Sequence, residues 1–335
     1  MKEFEELVGF SDRDLGYDGA KARLRYSNGT VASTENGKEF GAGKLDVVSL
    51  AELRRMVDAE NETGPNIYVH TEAREECVKN YLLSPEYSGA LFQVASQFNL
   101  LEMGHPSFIP EDGVEIYWGD PTQGPACAQA AIGATLYRNY FIQMPDGTRG
   151  QSKDNQINCL EAVLKWLKDK KPFVWNYQNG YVFIDSPNFS IINDVLSTIT
   201  DAERDELRGL LEIGIQWNVQ INDERRALKQ FVTQIFSSAF PVRYNDIGQE
   251  KARQLSELIL EATEEATIIA GILNKQRTGS GKIVLTKVGG GAFGNSHEWV
   301  ANAIQRALRK YQNYGLEILQ YHYRDKESFY EDIKP

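Results

Sequence analysis

Val288-Gly-Gly-Gly-Ala-Phe-Gly-Asn295 lies between an apolar run at 282–288 and an amphipathic stretch at 298–312. Four of its six positions 289–294 are glycine. At the junction of a strand's carboxyl end and a helix's amino end, glycines let the backbone approach a ligand closely. The first helical turn adds unpaired N–H groups and a positive dipole end. Such a junction can cradle a phosphate or diphosphate; the plainer alternative is a turn required only for tight strand–helix packing. A further apolar run at 316–323 completes a strand–helix–strand unit, the pattern of a parallel α/β sheet.

Two familiar phosphate motifs do not fit. Gly289-x-Gly291-x-x-Gly294 matches the dinucleotide fingerprint literally, but only about 40 residues follow it, too few to complete a doubly wound dinucleotide domain. The acidic residue expected ~20 positions later is Asp325, about 30 positions on. Thr278-Gly-Ser-Gly-Lys282 has Gln276 and Ile283 where a P-loop needs Gly and Ser or Thr. It also precedes a strand and not a helix, so it is a turn.

A second loop obeys the same logic as the first. Asp120-Pro-Thr-Gln-Gly-Pro-Ala-Cys-Ala128 enters a small-residue helix predicted over 126–137, which would bring a polyanion close to backbone N–H groups. Gly124, Pro125, Ala126 and Cys127 are its candidate contacts, as Gly289, Gly290, Gly291, Ala292, Phe293, Gly294 and Asn295 are in the first loop. Two such loops could grip both sides of one diphosphate. Upstream, 90–98 reads as a buried strand ending near Gln97, Asn99 and Glu102, with Glu111, Asp112 and Asp120 in the following loop. Carboxylates beside a glycosidic centre activate water or stabilise oxocarbenium-like charge. The alternative for Asp112 and Asp120 is that they only shape the loop, as Asx turns before Gly113 and Pro121. His70, His105, His297 and His322 are scattered, without metal-ligand spacing, and no nucleophile elbow is present.

The rest of the chain bounds the class. With 335 residues, 41% hydrophobic and 11% aromatic, it can bury a substantial core and falls outside the disordered class. The 47 acidic and 36 basic residues give a net charge of −11, which argues against a nucleic-acid binder with a basic stripe. The cysteines Cys77, Cys127 and Cys159 are odd in number and lack CxxC spacing, so neither a disulfide framework nor a zinc knuckle is expected. The acidic N-terminus has no apolar signal region. The apolar stretch 268–273 is far shorter than the ~20 residues of a membrane span. Residues 1–44 read as an arm or loose cap, and Ser49 with Glu52 as a capping box for a helix reaching about Asp58. Strands are expected at 66–70, 181–184, 211–221 and 232–240, and helices at 155–168 and 250–274.

Taken with 92–99 (Phe-Gln-Val-Ala-Ser-Gln-Phe-Asn) and the two loops, the chain resembles the macrodomain family, the ADP-ribose-binding α/β/α fold. The resemblance covers 90–140 and 243–323, about 130 of 335 residues. It looks closest to the divergent branch near poly(ADP-ribose) glycohydrolase and the ADP-ribosyl-arginine hydrolases. It departs from common members in having Gly124-Pro-Ala-Cys127 for a run of glycines, and it lacks the consecutive glutamates of polymer hydrolases in that loop.

The resemblance implies an α/β, macrodomain-like three-layer α/β/α fold with a mixed central sheet. It places a core at 66–325, an N-terminal extension at 1–60 and an insertion at about 141–208. ADP-ribose would lie with its diphosphate between 124–128 and 289–295 and its distal ribose near Gln97 and Asn99. Trp217, Phe240 and Tyr244 are candidates to stack on adenine, with ordinary core packing the plainer role of each. Asp112, Asp120 and Glu102 would carry the chemistry. The implied activity is removal of mono-ADP-ribose from protein side chains, arginine favoured, with no cofactor and no metal. The alternatives are a non-catalytic ADP-ribose or signal-nucleotide module and an ADP-ribose 1″-phosphate phosphatase. Partners would be ADP-ribose or an ADP-ribosylated protein, without nucleic acid or membrane, in the cytoplasm or delivered to another cell without an N-terminal signal.

Overall fold

A computed structural model describes residues 2–57, 62–72, 78–222 and 229–335. The chain opens with α1 (Lys2–Val8), α2 (Asp12–Ala22) and a small antiparallel sheet of β1 (Leu24–Ser27), β2 (Thr30–Ser33) and β3 (Glu39–Gly41). Then come β4 (Lys44–Ser49), α3 (Leu50–Arg55), β5 (Ile67–His70), α4 (Lys79–Leu83) and β6 (Leu91–Ala95). A long loop leads to α5 (Gln123–Ala130), α6 (Ile132–Leu136) and α7 (Glu161–Lys170). The hairpin β7 (Asn176–Gln178) and β8 (Tyr181–Phe183) precedes α8 (Ser186–Thr198) and α9 (Asp201–Gly209). The chain closes with β9 (Glu212–Ile221), β10 (Gln230–Ser237), α10 (Gly248–Thr278), β11 (Lys282–Leu285), α11 (His297–Lys310) and β12 (Glu317–Gln320).

The central sheet is mixed and seven-stranded, in the order β4-β9-β10-β6-β11-β12-β5. From β10 to β5 every pairing is parallel, whereas β9 runs antiparallel to both of its neighbours. The alternation Ile213, Ile215, Trp217, Val219, Ile221 lies on β9 as expected, and all five side chains are buried. α10 packs against β6, β9, β10 and β11, while α5 contacts β6 and α6 contacts β9. A methyl group on Gly271 would overlap Ile283, so α10 lies directly on β11. Gly279, at φ +81°, ends that helix in the left-handed conformation.

The feature that positions the site is a parting of strands. β6 pairs with β10 along its whole length, from Leu91 to Ala95, but with β11 only at Leu91 and Phe92. Beyond Phe92 the carboxyl ends of β6 and β11 separate. The side chain of Gln123 fills the place of the missing strand: its Oε1 accepts from Ala95 N at 2.6 Å and its Nε2 donates to Gln93 O at 2.8 Å. Unpaired buried backbone groups are costly, and here one side chain satisfies two of them. In open α/β sheets, ligands bind at such openings outside strand carboxyl ends.

Several expectations change. The described residues of the stretch read as an arm or loose cap, 2–44, are a folded element, since Phe4, Val8, Ala20 and Val31 are fully buried. β4 lies inside the stretch read as an N-terminal extension yet forms an edge of the central sheet, so the sheet draws on residues before 66. Ser49 and Glu52 form the expected capping box, but the helix ends at Arg55; Asp58 and Cys77 lie outside the described residues. The helix expected at 126–137 is broken at Ala131 into α5 and α6. That at 155–168 begins only at Glu161, because Asn158 and Gln151 hold the preceding backbone in turns. β11 stops at Leu285, three residues before Val288. Among the described residues no helix is long and apolar enough to cross a membrane, and no group of acidic, His or Cys side chains could hold a metal.

Candidate functional site

The two loops flank the opening between β6 and β11. α5 begins at Gln123 after Thr122, and its first turn leaves N–H groups without intrahelical partners. A methyl group at Gly124 would overlap the Ala95 carbonyl oxygen, so glycine is what allows α5 to start against the end of β6. Pro125, Ala126 and Cys127 follow it into the buried first turn. In the second loop, Gly289 (φ +81°) and Gly294 (φ +76°) have backbone conformations that side chains rarely adopt, and a methyl on Gly290 would meet His297 at 2.6 Å. Gly291 differs: its φ is ordinary, nothing lies within 4 Å of a methyl placed there, and with Ala292 it forms the exposed tip. Packing therefore accounts for the other three glycines and leaves Gly291 to another cause. Asn295 is buried and donates to Phe240 O and Gly289 O, while its Oδ1 has no partner.

Glu102 lies beside Gly124, its Cγ 3.3 Å from where a methyl on that glycine would be. The carboxylate is wholly buried and accepts from Arg138 Nη2 at 2.5 Å through Oε1; Oε2 has no partner. Burial pushes the Glu102 carboxyl up to about 7, against the lowering effect of the Arg138 charge. Arg138 is itself buried, donates to Leu100 O and Gln216 Oε1, and stacks its guanidinium 3.9 Å from the Phe236 ring centroid. This fixes Glu102 at the foot of α5. An acid near neutrality is suited to giving and taking a proton.

Asp120 lies on the outer side of the same turn. Its Oδ1 accepts from Thr122 N at 2.9 Å and from Thr122 Oγ1 at 2.6 Å, while Oδ2 would meet a methyl on Gly104 at 2.8 Å. Asp112 accepts from Ile109 N at 2.9 Å and caps the short helical turn 110–112. Both thus have the loop-shaping bonds of the plainer alternative, and both keep a second oxygen outside those bonds. The loop that carries them is braced from the N-terminal element. Buried Asp12 accepts from Val114 N at 2.6 Å and Tyr140 Oη at 3.0 Å, and burial raises its carboxyl to about 6.

Tyr181, at the start of β8 in the β7–β8 hairpin, joins these parts. Its hydroxyl donates to Met103 O at 2.8 Å and accepts from Gln97 Nε2 at 3.4 Å. Its ring packs 5.0 Å from Tyr244 and 5.4 Å from Phe293, tying the hairpin to the glycine loop. Gln97 Oε1 is buried without a partner. Asn99 is fully buried and already engaged: its Oδ1 accepts from Leu101 N and its Nδ2 donates to Gln156 Oε1. Leu100 between them has φ +64°, a strained turn at the end of β6.

Of the adenine candidates, Tyr244 belongs to this aromatic cluster and is partly exposed. Phe240 is fully buried against Phe189. Trp217 is packed under Arg277, at the carboxyl end of α10, and donates to Asp46. Since α10 leads into the amino end of β11, Trp217 sits at the opposite end of the sheet. Three of the four scattered histidines come together near β5, β12 and α11: His70 Nδ1 lies 3.0 Å from His322 Nε2, and His297 bonds Tyr330. Sequence reasoning missed Arg138, Tyr181, Asp12 and Gln123. Only Gln123 carried a local signal, as the polar residue inside the Pro121–Ala128 loop.

No family model matches the chain, and no curated protein matches its sequence. Among solved structures, poly(ADP-ribose) glycohydrolase from Thermomonospora curvata is similar over 98% of this chain and 96% of that chain, at 12% identity and a TM-score of 0.47. The enzyme from Deinococcus radiodurans in complex with ADP-ribose is similar over 85% and 90%, at 12% identity and a TM-score of 0.44. At these identities and scores the likeness assigns neither a family nor an activity to this chain.

Proposed function

We propose that the chain is an ADP-ribosyl hydrolase with a macrodomain-like, three-layer arrangement, acting on mono-ADP-ribose attached to protein side chains, arginine above others, in a reducing cytoplasmic setting. The observation that carries this reading is the parting of β6 from β11 beyond Phe92, with α5 starting at Gly124 against the end of β6, Glu102 beside that glycine, and the glycine loop following β11. The diphosphate would lie between the first turn of α5 and the 289–295 loop. Gly291, which packing does not require, leaves room for such a close approach. The distal ribose would then lie towards Gln97 and Asp120. Because Asn99 is held by Leu101 and Gln156, its contact with the ribose requires Gln156 to yield.

Glycoside cleavage needs one group to assist the leaving group and one to place water or stabilise positive charge at the anomeric carbon. Asp112 and Asp120 take these roles in our reading. They also attract the guanidinium of an arginine-linked substrate, a charge that an ester-linked substrate lacks. Glu102, beneath the first turn, is the further acid. A non-catalytic ADP-ribose module would share the loops but gains nothing from carboxylates beside an anionic ligand.

The test is calorimetry with ADP-ribose, NAD and ATP, followed by release of ADP-ribose from Arg-, Glu- and Ser-linked ADP-ribosylated proteins. ADP-ribose binding with release from the arginine-linked protein is expected. Tight ATP binding without ADP-ribose binding overturns the ligand; ADP-ribose binding without release from any linkage leaves a binding module.

A further inference from the structure

A cleft of about 1030 Å³ opens away from the two glycine loops. On one side it is lined by Leu45 and Val47, alternate residues of β4, and on the other by Tyr137, Ile157 and Tyr177. β4 is an edge of the central sheet, and no strand pairs on its outer side among the described residues. Edge strands with free backbone groups accept an extended segment as an added strand, which alternate side-chain positions then select. The cleft is also acidic. Glu212 and Asp154 line it, the first half-buried, and neither carboxylate has a hydrogen bond or ion pair among the described residues. A half-buried carboxylate without a partner is costly, and a cationic guest relieves that cost.

The wall of this cleft is stitched to the candidate site. Lys153 N donates to both oxygens of Glu111, next to Asp112, at 2.9 Å. Gln156 accepts from Asn99 and donates to Asn179, and Asn179 donates to Pro106 O at 2.7 Å. Lys153, Gln156 and Asn179 all line the cleft. A polypeptide lying in it is thus one side chain away from the loop that carries Asp112.

We infer that this cleft docks an extended, cationic segment of the modified protein along the open edge of β4, next to the arginine that bears ADP-ribose. The inference rests on the ADP-ribosyl-arginine reading above and supplies the protein half of that substrate. The apolar lining takes alternate aliphatic side chains of the segment, and Glu212 and Asp154 take its basic ones.

Two measurements on the full chain test it. The first is fluorescence anisotropy with a labelled, unmodified peptide of alternating arginine and valine. Wild type should bind with an affinity that falls as salt rises, and Glu212→Lys and Asp154→Lys should each weaken binding at least about tenfold. The second compares hydrolysis of an ADP-ribosyl-arginine peptide with that of free ADP-ribosyl-arginine. The same variants should raise KM for the peptide only, with ADP-ribose affinity and melting temperature held. Equal binding of the peptide by wild type and variants, or no binding, overturns the inference, as does an equal change in both substrates. Charge-sensitive peptide binding by a wild type that does not bind ADP-ribose keeps the docking surface and removes the reading on which it rests.

Discussion

Glu102 and Arg138 face each other at 2.5 Å with both side chains wholly removed from solvent. They hold together the turn after β6 and the helical segment after α6, since Arg138 also donates to Leu100 O. Breaking a buried pair by deleting one partner leaves an uncompensated charge. Arg138→Leu should therefore lower unfolding free energy by about 3–5 kcal/mol. Glu102→Gln, which keeps the shape, should cost less while removing the acid. Chemical denaturation of both variants checks the order; equal losses would show that Glu102 serves only to neutralise Arg138.

The two glycine loops predict opposite behaviour for the same substitution. Gly124→Ala drives a methyl into the Ala95 carbonyl and should destabilise the fold by about 1–3 kcal/mol or more. Gly291→Ala meets open space, so its melting temperature should match wild type while ADP-ribose affinity falls. A Gly291→Ala protein with unchanged affinity would remove that loop from the ligand site.

Asp120 has two duties to be separated, because it also accepts from Thr122 at the start of α5. Asp120→Ala should lose about 1 kcal/mol of stability through the two lost hydrogen bonds from Thr122. Asp120→Asn keeps an acceptor for Thr122 and loses the charge. If Asp120 acts on the substrate, both variants, and Asp112→Ala, should lose at least ~10²-fold in turnover with ADP-ribose affinity nearly constant. Normal turnover in Asp120→Asn and Asp112→Ala would leave both residues as loop-shaping groups.

Stability should fall as pH rises above neutrality. Glu264 is fully buried on α10, where burial pushes its carboxyl from 4.5 up to about 8, opposed only by the Gln93 hydrogen bonds. A carboxyl raised in the folded state keeps its proton there after the unfolded chain has lost it. Its contribution is present below 4.5 and declines as pH climbs through about 8. Asp12 and Glu102 act with the same sign at lower pH. Burial holds His322 down at about 4, which opposes them below the ordinary histidine range. Between about pH 7 and 8 the slope belongs chiefly to Glu264, and Glu264→Gln should flatten it there in denaturant midpoints; an unchanged slope in that window would exclude this assignment.

Glu265, the next residue, behaves in the opposite way. Burial alone would raise its carboxyl, but hydrogen bonds from Arg54, Lys310 and Arg306 at 2.6–2.7 Å override that and hold it at about 2. It ties α3, α10 and α11 together. Glu265→Ala should cost about 3–5 kcal/mol, towards the lower end because the three cations keep some access to water. Its stabilising effect is present above 4.5 and is lost only as pH falls through about 2.

What the amino-acid order alone determined here is local. The Ser49–Glu52 capping box, the alternation on β9 and the glycines of the 289–294 turn each depend on backbone geometry within a few residues. They were legible because period, capping and φ preference are short-range properties. The placing of β4 at the sheet edge, the parting of β6 from β11 and the filling of that gap by Gln123 were decided only by the tertiary structure. The same holds for Arg138 on Glu102, Tyr181 on Met103, and His70 on His322, 252 positions away. Pairings of this kind are set by which polar groups must find a partner once the core closes around them. That demand arises from desolvation, and no spacing along the chain records it.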